Sequence, residues 1–164
     1  VPKALEDLPR LGVRYRLNPD FEHLSWYGRG PHETYVDRKQ SGRLMVHEST
    51  VSAQYVPYIL PQDHGNLTDV RWLGLHNDRQ LGVTVTGHSR FEASASHYPK
   101  ESLLNAFHTY EVAPDPHVWL SLDVMQRGLG GASCGPDTLP PYRLSSGAFS
   151  LDYTLALQAP EHAG

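Results

Sequence analysis

The chain has 164 residues, the size of one ordinary domain with a real core, and a hydrophobic fraction of 39%, well above that of disordered chains. A net charge of -4 with no basic run removes the electrostatic footprint of a nucleic-acid partner, and apolar runs of only a few residues leave no membrane-spanning helix. The single cysteine, Cys134, excludes an internal disulfide framework.

At the N-terminus, Val1–Asp7 has neither the positive region nor the apolar region of a signal peptide. Cytoplasmic residence fits that reading, and the absent initiator Met suits a mature fragment or an excised domain. Arg10–Leu17 alternates strictly, with Leu11, Val13, Tyr15 and Leu17 on one face and Arg10, Arg14 and Arg16 on the other. That is the period of a half-buried strand. His23–Tyr27 reads as a second strand, stopped by Gly28-Arg29-Gly30-Pro31. The polar stretch 31–50 shows no clear period and has room for one short helical turn.

Further strands are expected around Ser52–Tyr58, Thr68–Leu75, Leu81–Thr86, Phe91–His97, Phe107–Val112, Val118–Met125 and Phe149–Leu157. The last alternates again, with Phe149, Leu151, Tyr153, Leu155 and Leu157 on one face. Trp119 reads as strand core. Turn signals at Pro61–Gly65, Asn77-Asp78, Gly87, Pro99, Pro114–Pro116 and Gly128–Gly131 separate these strands. Lys100–Ala106 is the best helix candidate. The 13 Pro and 14 Gly are spread along the chain, which breaks any long helix. The pattern predicts one all-β unit over 1–164, an antiparallel β-sandwich, with 1–7 and 158–164 as loose ends.

Little in the sequence has the form of a reaction centre. The 10 histidines include no His-x-His or His-x-x-x-His pair, and the lone Cys has no Cys partner, so scattered structural histidines are the expectation. Gly128-Leu-Gly-Gly131 opens no recognisable helix and reads as a tight strand exit rather than a phosphate cradle. No Gly-x-Ser-x-Gly elbow occurs. Glu33, Asp37, Asp63, Asp69 and Asp123 could in principle pair in space as glycosidase carboxylates do, but each is read as a loop cap or an Arg partner. Glu33, Asp37 and Arg38 are expected to pin loops through charge-assisted hydrogen bonds.

Three longer motifs say more. They are Trp26-Tyr-Gly-Arg-Gly-Pro-His-Glu-Thr-Tyr-Val-Asp-Arg38, then Tyr55-Val-Pro-Tyr-Ile-Leu-Pro-Gln-Asp-His-Gly-Asn-Leu-Thr-Asp-Val-Arg-Trp72, then Gly128-Leu-Gly-Gly-Ala-Ser-Cys-Gly-Pro-Asp-Thr-Leu-Pro-Pro-Tyr-Arg-Leu144. In this order, from about Leu8 to Leu157, the chain closely resembles the C-terminal domain of the large bacterial β-galactosidases of glycoside hydrolase family 2.

The resemblance implies the C-terminal half of a galactose-mutarotase-like supersandwich. It implies a parent that hydrolyses terminal β-D-galactosides such as lactose with retention, through glutamates of a separate (β/α)₈ barrel that nothing here resembles. This chain is then non-catalytic and inactive alone. Its partners are the rest of the β-galactosidase, including the barrel, and the galactoside; the parent is a homo-oligomer. The family's magnesium and sodium lie outside the matched region, so no cofactor is expected in this chain.

One site carries over: the loop after the Gly-rich turn, here Ser133, Cys134 and Gly135, is implied to line the sugar pocket. Some family members present a tryptophan there, whose flat face can stack on a pyranose, whereas Cys134 is small. A second departure is Leu67, where the family pattern has a basic residue. The competing readings are a free-standing carbohydrate-binding module, using Trp26, Tyr27, Trp72 and Trp119, and an aldose-mutarotase-like isomerase, which needs a complete sandwich.

Overall fold

Alternation carries straight into structure at the first element. The computed structural model describes residues 7–130 and 135–159. Its strands are β1 (Arg10–Leu17), β2 (His23–Gly30), β3 (Arg43–Thr50), β4 (Leu67–His76), β5 (Gly82–Ser96), β6 (Val118–Gln126) and β7 (Tyr153–Gln158). One helix, α1 (Lys100–Asn105), and three short 3-10 turns complete the elements. The fold is all-β and antiparallel. All seven strands join one open sheet in the order β1-β6-β5-β4-β2-β3, with β7 paired to β5, an arrangement consistent with a sandwich architecture.

β5 organises this order. Its first half, Gly82–Gly87, lies between β4 and β7, while Phe91–Ser96 runs between β4 and β6. One face of the sheet is apolar throughout: Leu24 and Trp26 from β2, Leu73 and Leu75 from β4, Val83, Val85, Ala93 and Ala95 from β5, and Val118, Leu120 and Leu122 from β6. Tyr15 and Leu17 close it at β1, and Leu151 and Tyr153 at the β7 end. Burying such a face is the main favourable term in folding, at about 25 cal/mol per Å² of apolar surface removed from water.

The opposite face of β4–β6 is also covered, but by polar groups. Thr68, Glu92, Ser94, Ser96, Ser121 and Asp123 are all buried there. Trp119 belongs to this second face, not to the apolar core: it is half-buried, with the Arg14 guanidinium 4.7 Å above its ring. The strand alternates, and Val118, Leu120 and Leu122 take the core side.

Several expected elements form differently. Ser52–Tyr58 is no strand: Ser52–Gln54 is a 3-10 turn, because Thr50 Oγ1 and Glu22 Oε1 accept the Ala53 and Ser52 N–H groups. Phe107–Val112 is likewise a loop with a 3-10 turn at Thr109–Glu111. There the Glu111 carboxylate takes the Phe107 and His108 N–H groups, donors that a strand ladder would need. Gly87 is not a turn, since β5 runs through it. The stretch 31–50 holds a tight turn at Tyr35–Arg38 and the strand β3, rather than a helical turn.

β3 escapes periodicity because it is an edge strand with Leu44, Met45 and Val46 all exposed, so neither face supplies a pattern. The Phe149–Leu157 alternation forms a strand only from Tyr153, and its outer residues Leu155 and Leu157 are exposed. No helix among the described residues is long and apolar enough to cross a membrane.

Candidate functional site

The Trp26–Arg38 motif ends in side chains that reach two distant loops. After β2, Glu33 turns inward and accepts the Gly65 N–H at 2.8 Å, the Tyr58 hydroxyl and the Arg38 guanidinium. Gly65 stands at φ +72, a left-handed conformation that glycine adopts at no steric cost. Tyr35, fully buried beside this carboxylate, has its hydroxyl pKa pushed far up by burial and by Glu33 and Asp63. Arg38 lies 5.0 Å over the Tyr35 ring. The first motif thus fastens the second.

Asp37 fastens the third. Its carboxylate accepts the Leu129 N–H at 3.2 Å and the Gly130 N–H at 2.8 Å. A Cβ on Gly128 would stand 2.6 Å from the Asp37 carboxyl carbon, and one on Gly130 only 3.2 Å from its Oδ2. The glycines are there so that the backbone can wrap the carboxylate. Downstream, the Thr138 hydroxyl donates to the Gly128 carbonyl at 2.9 Å, and Arg127 donates to Thr138, Asp137 and Asp7. Both ends of the segment between Gly130 and Gly135 are therefore fixed on the same scaffold. Of the pocket residues expected from sequence, Ser133 and Cys134 lie outside the described residues. Gly135 is exposed, and a Cβ placed on it would meet nothing within 4 Å.

A second polar cluster had no sequence signal, because its members come from four distant segments. Arg10, on β1, donates to both carboxylate oxygens of Asp123 on β6 and, at 3.1 Å, to Asp63 in the loop before β4. Lys100, at the start of α1, and Gln126 also donate to Asp63. Burial alone would push the Asp63 carboxyl up, but Lys100 and Arg10 hold it below its ordinary value.

Opposite Asp123 on β5 stands Glu92, which receives the Asn66 side-chain amide at 2.8 Å and has no cation bonded to it. Burial, with the Asp123 charge adding to it, pushes the Glu92 carboxyl up to about 7. Beside it, Asn66 Oδ1 and Gln126 Oε1 are buried with no donor among the described residues. A raised acid next to an ionised carboxylate is the electrostatic pattern of a glycosidase pair. Here, however, Asp123 is occupied by Arg10, and Glu92 is 8% exposed and lines neither of the clefts beside Arg10. The geometry is that of a structural cluster.

Asp69 and Leu67 complete the second motif. Asp69 interrupts β4 at φ 55 and is held there by Arg29 at 2.6 Å and Lys39 at 3.1 Å. Leu67 is fully buried on the apolar face opposite Ala93, so the site of the family's basic residue is filled by core. The aromatic rings offer no flat exposed platform: Trp26 is fully buried, Tyr27 lies under Arg71 at 5.0 Å, and Trp119 under Arg14.

An antiparallel all-β domain whose carboxylates tie loops to a sheet is the class defined by this fold and site. The chain belongs to the β-galactosidase small chain family, which it matches over residues 1–157. It is 36% identical over 143 residues to a β-galactosidase of Priestia megaterium, covering 87% of this chain and 14% of that protein. It is 34% identical over 157 residues to a β-galactosidase of Vibrio cholerae, covering 94% of this chain and 15% of that protein. A β-galactosidase of Arthrobacter sp. is 33% identical over 157 residues, covering 92% of this chain and 16% of that protein. The chain thus spans only 14–16% of the length of these curated relatives, and further domains make up the rest of them.

Proposed function

We propose that this chain is the non-catalytic C-terminal domain of a retaining β-galactosidase, buttressing the catalytic barrel and supplying one loop to the sugar pocket. On this reading the chain is half of a galactose-mutarotase-like supersandwich. The glutamates that attack the anomeric carbon and protonate the leaving oxygen belong to the barrel, as do the magnesium and sodium of the family. A cytoplasmic, homo-oligomeric parent acting on lactose-type galactosides follows from the same resemblance.

The observation that carries the proposal is the double anchoring of the segment around Ser133, Cys134 and Gly135. Asp37 grips the backbone on one side of it, and Thr138 and Arg127 secure the other. A loop that merely connected β6 to the next segment would not need both ends fastened to the sheet. A loop that must meet a sugar does, because positional error in a pocket costs affinity.

Cys134→Trp in the full-length enzyme tests this. A stacking ring at a pocket edge should change the affinity for galactose analogues by about 1–3 kcal/mol, in either direction according to fit. The change should fall on Michaelis and inhibition constants, since the loop carries no proton-transfer group. A large fall in thermal midpoint with unchanged inhibition would instead make the loop structural and remove the only pocket contribution assigned to this chain.

A further inference from the structure

Next to Arg10 lies a cleft of about 490 Å³ whose walls are Pro9, Leu60, Pro61, Leu103, Leu104 and Phe107. The side chains around its mouth point outward to an unusual degree: Ile59 is 93% exposed, Leu104 85% and Phe107 75%. They are held that way. Pro99 starts α1, the six-residue helix sends Leu103 inward and Leu104 outward, and the Glu111 carboxylate fixes the Phe107 backbone. An apolar patch of this kind, built on ordered backbone, marks a contact surface.

The floor says what sort of partner fits. Its charged groups are Arg10, Lys100 and Asp63, with Asp123 just behind. Arg10 spends its donors on Asp123 and Asp63, and Lys100 is bonded to Asp63. Two cations face two carboxylates, so the floor is neutral and offers no charge to an ionic ligand. The occupant is apolar. Pro9 forms part of the wall, close to the first described residue, Asp7, so polypeptide preceding this chain reaches the domain beside the cleft. The relatives leave some 84–86% of their length outside the match, which provides that polypeptide.

We propose that the cleft between α1 and the Leu60–Asp63 loop seats an aliphatic or aromatic segment of the preceding part of the same β-galactosidase polypeptide. The inference rests on this chain being a domain of such an enzyme, but not on its loop touching sugar. Contact there locks the domain to its scaffold through a face remote in sequence from Ser133–Gly135.

The test is Phe107→p-benzoylphenylalanine in the full-length enzyme, irradiated in a mixture of light and heavy-isotope copies. The expected product joins residue 107 to a peptide preceding this domain, with both peptides light or both heavy. Mixed light–heavy products would place a second copy in the cleft and overturn the proposal, as would irradiation that gives no peptide adduct. Radical footprinting of the unsubstituted enzyme keeps the test independent of whether the variant folds. Phe107 should label as weakly as the buried Trp26; labelling equal to that in urea-unfolded enzyme would show an open cleft. Neither readout depends on galactoside affinity, so the outcome is separate from that of Cys134→Trp.

Discussion

The two faces of the β4–β5–β6 sheet are equally buried and differently made. On one, Leu73, Val85, Ala93 and Leu120 meet with no polar atom to satisfy, and any filling of similar volume would serve. On the other, Glu92, Asp123, Asp63, Arg10 and Lys100 are held by specific directional bonds, and each depends on its neighbours. The apolar face gives the domain its stability. The polar face gives the loops their places, since Asp63 in the loop before β4, the start of α1 and the β1 strand meet only there.

If that contrast is right, the polar face should fail abruptly where the apolar face yields gradually. Arg10→Met should produce the largest effect. It removes the only guanidinium bonded to Asp123, which is 2% exposed, and leaves a buried charge uncompensated. Breaking a buried pair in this way costs about 3–5 kcal/mol, and urea unfolding should show that loss. A loss below about 1 kcal/mol would mean the cluster is solvated and the contrast false.

The second effect is on pH dependence. In the folded chain Glu92 stays protonated up to about 7, while its ordinary value is 4.5. Between these values the folded state holds a proton that the unfolded state has released. The contribution is therefore fully present below 4.5 and is lost as pH rises through about 7. The whole span is worth about 3 kcal/mol. Glu92→Gln keeps an acceptor for Asn66 and should flatten stability against pH, so that the variant gains on the parent chiefly above neutrality. Parallel profiles for the two would show that Glu92 is ionised in the fold.

Asp37→Ala should have a smaller, local effect. It deprives Leu129 and Gly130 of their acceptor, costing about 1–3 kcal/mol at the loop rather than across the sheet. Amide exchange at those two residues should speed up while the β4 and β5 amides stay protected. Uniform acceleration would deny that the loop is anchored separately.

The same division explains what could be read before any coordinates. β1, β4, β6 and α1 follow from local period and turn residues, because one face of each strand is apolar and α1 opens after Pro99. The pinning roles of Glu33, Asp37 and Arg38 were also legible, since all three sit beside turns and carry charge with no catalytic spacing around them. The partners they reach were not legible: Asp37 acts 92 and 93 residues away, and Arg10 meets Asp123 across 113. Sequence spacing contains no trace of such pairs. Strand propensity misled at Phe107–Val112, where two bonds to Glu111 outweigh the β-preference of Phe, Tyr and Val. It failed at β3 because ladder pairing with β2, not burial, makes that strand.

The central claim is that these carboxylates hold structure and transfer no proton to a sugar. The direct measurement is turnover of a chromogenic β-galactoside by this chain alone, across a range of pH, beside the full-length enzyme at equal concentration. The account predicts turnover by the full-length enzyme and none by the chain. Turnover by the purified chain that disappears with Glu92→Gln or Asp123→Asn, in a variant that keeps its β-rich spectrum, would contradict it.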